Sequence, residues 1–180
     1  MENYGVLLPV KSFANAKVRL TSVLSPSERA ALSRSLAERV IQVCEGVPVW
    51  VICEDEEVES WALQLGAEVI RNTQPGLNGA AQTGLSAVAK EGVKRVLITH
   101  ADLIFPEGLL SLFEHDGIVL VPDRHNDGTN VIGLPSDIDF SFKYGPGSFL
   151  RHKAEAGMSK MPIKVIRNSN FGFDMDNPDD

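Results

Sequence analysis

The sequence predicts an α/β fold, a sandwich with helices on both faces of a mostly parallel sheet. Three observations predict it. Strand-like apolar runs alternate with helical patterns along the chain, as in repeated strand-helix-strand units. The stretch Arg95 to Thr99 holds a continuous apolar run, as expected of a strand covered on both faces. Polar loops at Lys11, Asn72, His100 and Asp123 each follow a strand, and right-handed crossovers bring such loops to one edge of the sheet.

Gly5 to Val10 reads as a buried first strand. It opens into Lys11-Ser12-Phe13-Ala14-Asn15-Ala16-Lys17-Val18-Arg19-Leu20. Ser25-Pro26-Ser27-Glu28 is a capping box, with Ser25 as N-cap, Pro26 at the first helical position and Glu28 reaching back. The helix that follows carries Leu32, Leu36, Val40 and Val43 on one face, and Gly46 stops it. Val49 to Cys53 is the second strand, Glu56 to Leu65 a short helix ended by Gly66, and Glu68 to Arg71 the third strand. Asn72 to Gly79 reads as a Pro/Gly/Asn loop before a helix over Ala80 to Lys90. Beyond the strand at Arg95, a helix is expected over Pro106 to Glu114 and strands over Ile118 to Val121 and Val131 to Leu134. A helix over Pro146 to Glu155 and a strand over Ile163 to Ile166 complete the pattern. There is no internal repeat, low-complexity tract or linker, so residues 1–180 are read as a single domain.

A chain of 180 residues can bury a core that is stable without staples. The formal charge of −7 argues against non-specific nucleic-acid binding, yet local cation clusters still suit a nucleotide. Cys44 and Cys53 lack metal-ligand spacing and read as reduced core thiols. No signal peptide or bilayer-length apolar run is present, which points to a cytoplasmic protein without a membrane partner.

The loop after the first strand carries Lys11, Lys17 and Arg19 and no acid. Cations in that position suit a triphosphate, with Lys as a point charge and Arg as a bidentate donor; the alternative is a solvated loop. The segment is neither a P-loop nor a glycine-patterned dinucleotide fingerprint. Asp102 lies just past the strand at Arg95, well placed either to hold magnesium or to cap the next segment. Asp174 and Asp176 are two apart, which puts them on one face of an extended segment where they can share a metal with Asp102. His100 reads as a structural histidine more readily than as a base. The loop Asp123 to Asn130 sits between two strands, a position where binding concentrates, and its Thr129 and Asn130 are candidate ligand donors. Gly145-Pro146-Gly147-Ser148 leads into a helix carrying His152, and a helix start can bind an anion. Asn78, with Gly79, can read a base edge.

Together these segments resemble the 2-phospho-L-lactate guanylyltransferase family of coenzyme F(420) biosynthesis, which includes enzymes using phosphoenolpyruvate or 3-phosphoglycerate. The matching elements run in the family's order through nearly the whole chain. They are Pro9-Val10-Lys11 with Ala16-Lys17-Val18-Arg19-Leu20, then Gly76-Leu77-Asn78, Ala101-Asp102-Leu103, and Pro122-Asp123-Arg124 with Gly128-Thr129-Asn130. Phe142-Lys143-Tyr144-Gly145-Pro146-Gly147-Ser148-Phe149 with His152 comes next, and Asp174-Met175-Asp176-Asn177-Pro178-Asp179-Asp180 is last. The resemblance implies a Rossmann-like three-layer sandwich of the glycosyltransferase-A type, a nucleotidyltransferase fold with a mostly parallel mixed sheet. It implies GTP as donor, Mg2+ as cofactor and a small phosphorylated carboxylic acid as acceptor, and it is compatible with a homodimer. By analogy Lys11, Lys17 and Arg19 hold the triphosphate, Asn78 and nearby backbone read guanine, and Asp102, Asp174 and Asp176 hold metal. Thr129, Gly145 and Ser148 hold the acid.

Two departures from the family pattern stand out. Leu103-Ile104-Phe105 intervene before Pro106, where relatives have proline sooner, and the chain stops at Asp180, where relatives continue. The first bears on the acceptor side; the second would expose the metal site or leave it to a partner subunit. Two competing readings follow from the residues: a nucleotidyltransferase with another acceptor, of sugar phosphate or molybdopterin type, and a non-catalytic nucleotide-binding paralogue.

Overall fold

Apolar residues alternate between the two faces of the first strand, and that alternation organises the molecule. In β1 (Tyr4–Pro9), Val6 and Leu8 face one core and Leu7 faces the other. The computed structural model describes residues 3–167 and 169–178. β1 is followed by α1 (Pro26–Val43), β2 (Val49–Cys53), α2 (Glu56–Gln64), β3 (Glu68–Arg71), α3 (Gly76–Lys90) and β4 (Arg95–Thr99). β5 (Ile118–Pro122), β6 (Thr129–Pro135), α4 (Ser148–Met158) and β7 (Ile163–Val165) complete the chain. The strands form one seven-stranded sheet in the order β3-β2-β1-β4-β6-β5-β7. Only β6 runs against its neighbours, pairing antiparallel with β4 and β5, so the expected mostly parallel sheet is present.

Helices cover both faces. α1, α2 and a 3-10 turn over Leu109–Glu114 pack Ala37, Val40, Trp61, Leu109 and Leu112 against Val6, Val51, Leu97 and Val119. On the other face α3 and α4 set Ala81, Leu85, Val88, Phe149 and Ala156 against Leu7, Ile52, Ile98 and Ile132. The Ser25 capping box forms as its local chemistry requires: the Ser25 hydroxyl accepts from the Glu28 N–H, and the Glu28 carboxylate accepts from the Ser25 N–H at 2.8 Å. Along α1 the buried stripe is Leu36, Ala37 and Val40, with Leu32 and Val43 flanking it half-buried. Cys44 and Cys53 are buried free thiols.

Three helix starts differ from expectation, each for a glycine reason. α3 starts at Gly76 rather than Ala80, so Asn78 and Gly79 lie in its first turn and not in a loop. Its glycines weaken the helical signal, yet Gly84 is needed there. A Cβ on it would lie 2.8 Å from Ile52 Cδ1, because the helix rests directly on the sheet. The expected helix over Pro106 to Glu114 is only the 3-10 turn from Leu109, because Gly108 adopts a left-handed φ of 82° that interrupts it. α4 likewise begins at Ser148, after Gly147 at φ 70°, and runs on to Met158. No helix among the described residues is long and apolar enough to cross a membrane.

The chain leaves β1 toward β2 on one side, while β4 docks on the other. The loops after β1 and β4 therefore diverge at a topological switch point, where open α/β sheets place their ligands.

Candidate active site

The loop after β1 is anchored by Phe13, which is buried edge-on against Trp61 at 5.0 Å. It then turns at Lys17, whose left-handed backbone (φ 54°, ψ 41°) is strained for a residue with a Cβ. That turn sends the Lys17 side chain inward, where it is only 7% exposed, to ion-pair with Asp102. Lys17 Nζ also lies 3.6 Å from Asp176 Oδ1, and Arg19 Nη1 donates to Asp176 Oδ2 at 3.1 Å. Residues from the start, middle and end of the chain thus meet at the switch point. Lys11 is exposed in the same loop.

The segment carrying Asp174 and Asp176 is fastened to the loop after β4 by backbone bonds. Ile104 N donates to Phe173 O at 2.9 Å, Met175 N donates to Asp102 O at 3.1 Å, and Leu103 bridges Asp174. Asn130, at the start of β6, braces both: its backbone carbonyl accepts from His100 N, and its amide donates to Phe171 O at 3.1 Å and to Asp174 Oδ1 at 3.3 Å. Asn130 is buried, so it positions Asp174 rather than presenting its side chain to a ligand. Asp179 and Asp180, the last residues of the acidic motif, lie outside the described residues.

His100, Asp102 and Asp174 each offer a ligand atom within 4.8 Å of the others. Burial, then the neighbouring Asp102 charge, pushes the Asp174 carboxyl above its ordinary range. Asp102 Oδ1 and His100 Nε2 are buried with no hydrogen-bond partner among the described residues. Hard carboxylate oxygens with an unmet electrostatic demand fit a divalent cation. The sequence alone favours a structural role for His100, and the structure sets it beside the two aspartates. The signal for its place is its position two residues before Asp102, just past a strand end.

Thr129 and Ser148 do not sit as expected. Both side chains are buried, and they face a buried imidazole rather than a cleft. His152 Nε2 accepts from the Lys143 N–H at 2.8 Å, which leaves the proton on Nδ1 to donate to Thr129 Oγ1 at 2.9 Å; Ser148 Oγ is 3.4 Å from that hydroxyl. Burial, reinforced by Arg151, lowers the His152 pKa to about 4, so the ring is neutral. The two hydroxyls are engaged with each other and with the imidazole in holding the turn. The start of α4 is also not open to an anion as expected. Asp127 already occupies it, its carboxylate accepting from Gly147 N at 3.0 Å and its carbonyl from Phe149 N at 2.9 Å. Gly145, at φ 115°, is exposed in that turn. Asn78 Oδ1 accepts from the Tyr144 N–H at 2.6 Å, tying α3 to the same strap. Asn78 and Gly79 line a cavity of about 650 Å³ beside Gln74, Thr83 and Phe142, separate from the charged cluster.

A second, polar cleft of about 290 Å³ adjoins the cluster. Its lining includes Arg19, Asp123, Arg124, His125, Asp127, Asp174 and Asp176. Arg124, His125, Asp123 and Asp127 carry no sequence signal of their own beyond lying in the loop between two strands.

Cations and carboxylates gather at the switch point of a mixed α/β sheet, and that sheet with its helices has the nucleotidyltransferase fold. A solved nucleotidyl transferase from Methanothermobacter thermautotroptrophicus shares that fold, with a TM-score of 0.70 at 13% identity, covering 97% of this chain and 92% of that one. A family model described as "Guanylyl transferase CofC like" matches residues 4–180, and the chain belongs to that family. Among its relatives is a phosphoenolpyruvate guanylyltransferase from Sphaerobacter thermophilus, 32% identical over 97% of this chain and 88% of its own length. Another is a 2-phospho-L-lactate guanylyltransferase from Methanocaldococcus jannaschii, 28% identical over 97% of this chain and 79% of its own length.

Proposed function

We infer that this protein transfers GMP from GTP to a phosphorylated three-carbon acid and releases pyrophosphate, as a step in making coenzyme F(420). The observation that carries the reading is the convergence of Lys17 and Arg19 with Asp102, Asp174 and Asp176 at the sheet's switch point. In the reaction a phosphate oxygen of the acid attacks the α-phosphorus of GTP in line. A new P–O bond forms, the bond from the α-phosphorus to the β-phosphate oxygen breaks, and pyrophosphate leaves with those electrons. The attacking phosphate is already anionic near neutral pH, so no strong base is required. Catalysis then rests on holding two anions together and offsetting their charge.

Lys17, Arg19 and Lys11 supply positive charge on the β1 side, where the triphosphate would lie. Asp102, Asp174 and Asp176 would hold Mg2+, whose chemistry there is to neutralise phosphate oxygens and the departing pyrophosphate. The buried Asp102 Oδ1, which has no hydrogen-bond partner among the described residues, and the raised Asp174 carboxyl support that assignment. The strap from Lys143 to Ser148, held by His152 and Asn78, would bound the acid's site through its backbone. A cytoplasmic location and a homodimer belong to the same proposal.

The test is incubation with GTP, Mg2+ and phosphoenolpyruvate, 2-phospho-L-lactate or 3-phosphoglycerate in turn, with mass detection of the guanylylated acid. Product with one of the acids is the expected result. Product only with sugar phosphates would mean another acceptor, and GTP binding without pyrophosphate release would mean a non-catalytic paralogue.

A further inference from the structure

We propose that Arg29 is a positioning residue for the donor nucleotide: its guanidinium clips together two ends of the cationic loop after β1 and so sets Lys17 and Arg19 for the triphosphate. The inference rests on the function proposed above and adds to it the group that keeps the phosphate-binding loop in shape. Arg29 lies near the start of α1 and is 9% exposed, the one buried arginine among the described residues. Its place is unfavourable on general grounds. Burial strips water from its charge, and a cation near a helix start opposes the helix dipole. Among the described residues its side chain makes no ion pair, and its hydrogen bonds go to two backbone carbonyls. Arg29 Nε donates to Ala16 O at 3.4 Å and Nη1 to Leu24 O at 3.3 Å.

Those two carbonyls flank the residues that would meet the phosphates. The Ala16 carbonyl belongs to the peptide bond that enters Lys17, whose left-handed backbone (φ 54°, ψ 41°) persists only where its surroundings enforce it. The Leu24 carbonyl closes the far end of the same arc, just before the Ser25 cap of α1. Between them the backbone hydrogen bonds are local: Leu20 N donates to Lys17 O at 2.9 Å, Thr21 N to Val18 O at 3.2 Å and Leu24 N to Leu20 O at 2.9 Å. Among the described residues the arc's other polar ties to the rest of the molecule are the pairs of Lys17 with Asp102 and Asp176 and of Arg19 with Asp176. A bound triphosphate would draw on those same cations, so these pairs weaken when GTP is held. Arg29 touches carbonyls alone, and its clip does not compete with the nucleotide. A planar guanidinium presents donors at a fixed spacing and reaches both carbonyls at once, whereas a lysine ammonium is a point charge that serves one.

The experiment compares wild type with Arg29→Met, which keeps an apolar stem and removes both donors, and Arg29→Lys, which keeps the charge and serves one carbonyl. The readouts are KM for GTP, KM for the acid that reacts, kcat, and the rate at which trypsin cuts the free enzyme after Arg19. Arg29→Met should raise KM for GTP about tenfold or more, with kcat at saturating GTP and KM for the acid within about twofold of wild type. Arg29→Lys should fall between the two, and trypsin should cut after Arg19 faster in both variants. A KM for GTP within about twofold of wild type in Arg29→Lys would overturn the clip. Equal rises in KM for GTP and for the acid, or trypsin cleavage no faster than in wild type, would overturn it too. If Arg29→Met does not fold, Arg29→Lys is read by the same criteria. If the wild-type enzyme guanylylates no phosphorylated acid, the guanylyl reading fails, and equilibrium binding of GTP with the trypsin rate still decides the role of Arg29.

Discussion

Replacing His152 with Gln removes a titrating group from the interior without emptying the space it fills. In the native protein its ring is fully buried, accepts the Lys143 N–H and donates to Thr129. Its pKa falls to about 4 from the ordinary 6.5, chiefly through burial and then the Arg151 charge. The sign follows from proton counting. Between those two pH values the unfolded chain holds a proton on His152 that the folded chain does not. Stability is therefore complete above about pH 6.5 and is lost as pH falls toward 4. The full effect is about 3 kcal/mol, of which about 2 kcal/mol is spent on going from pH 7.5 to 5. Urea unfolding at both pH values measures it, with wild type and His152→Gln compared by difference so that other carboxylates cancel. His152→Gln is expected to be less stable at pH 7.5 yet to lose about 2 kcal/mol less on acidification. The same pH dependence in both proteins would refute the picture of a neutral, buried, hydrogen-bonded imidazole.

Asp102→Asn and Asp174→Asn should each lower turnover by about a hundredfold or more, since a carboxylate that would hold Mg2+ is lost, while circular dichroism shows the fold retained; wild-type turnover in either would remove the metal assignment. Lys17→Ala should raise KM for GTP about tenfold or more by removing a charge-assisted contact, and steady-state rates at varied GTP test it, an unchanged value placing Lys17 outside the phosphate site. Chelation with EDTA should abolish pyrophosphate release and added Mg2+ restore it; release that persists in EDTA would argue for charge neutralisation by the side chains alone. Gly128→Ala would set a Cβ 2.7 Å from Asp123 Oδ2, so thermal unfolding should show a loss of about 1–3 kcal/mol, and an unperturbed melt would mean that the loop is not held by Asp123.

What could be read from the sequence depended on how local each cause is. The Ser25 box was legible because its partners are three residues apart, and the buried strands because apolar runs report burial directly. The start of α3 was not legible. Gly76 and Gly79 lower helical propensity, and the tight seat of Gly84 on Ile52 that favours the helix is a tertiary fact. Thr129 and Ser148 looked like ligand donors because a hydroxyl in a loop usually faces water; only the fold reveals a histidine behind them. The docking of Asp127 on the start of α4 was hidden for the same reason, its partner Gly147 lying twenty residues further on.

The pairing of Lys17 with Asp102 joins residues 85 apart, and no spacing rule encodes it. What encodes it is strand order. Because β4 docks against β1 on the side away from β2, the loops leaving their carboxyl ends must separate, and a gap opens between them. Cations on the β1 loop and carboxylates on the β4 loop then face each other across that gap. The C-terminal segment, hydrogen-bonded to the β4 loop, adds its aspartates to the same rim. The charge pattern is diffuse along the chain and concentrated in space for a topological reason. Substitutions that move β4 or its loop should therefore damage the site more than equally large changes in the exposed β3 edge, which contributes no residue to the cluster.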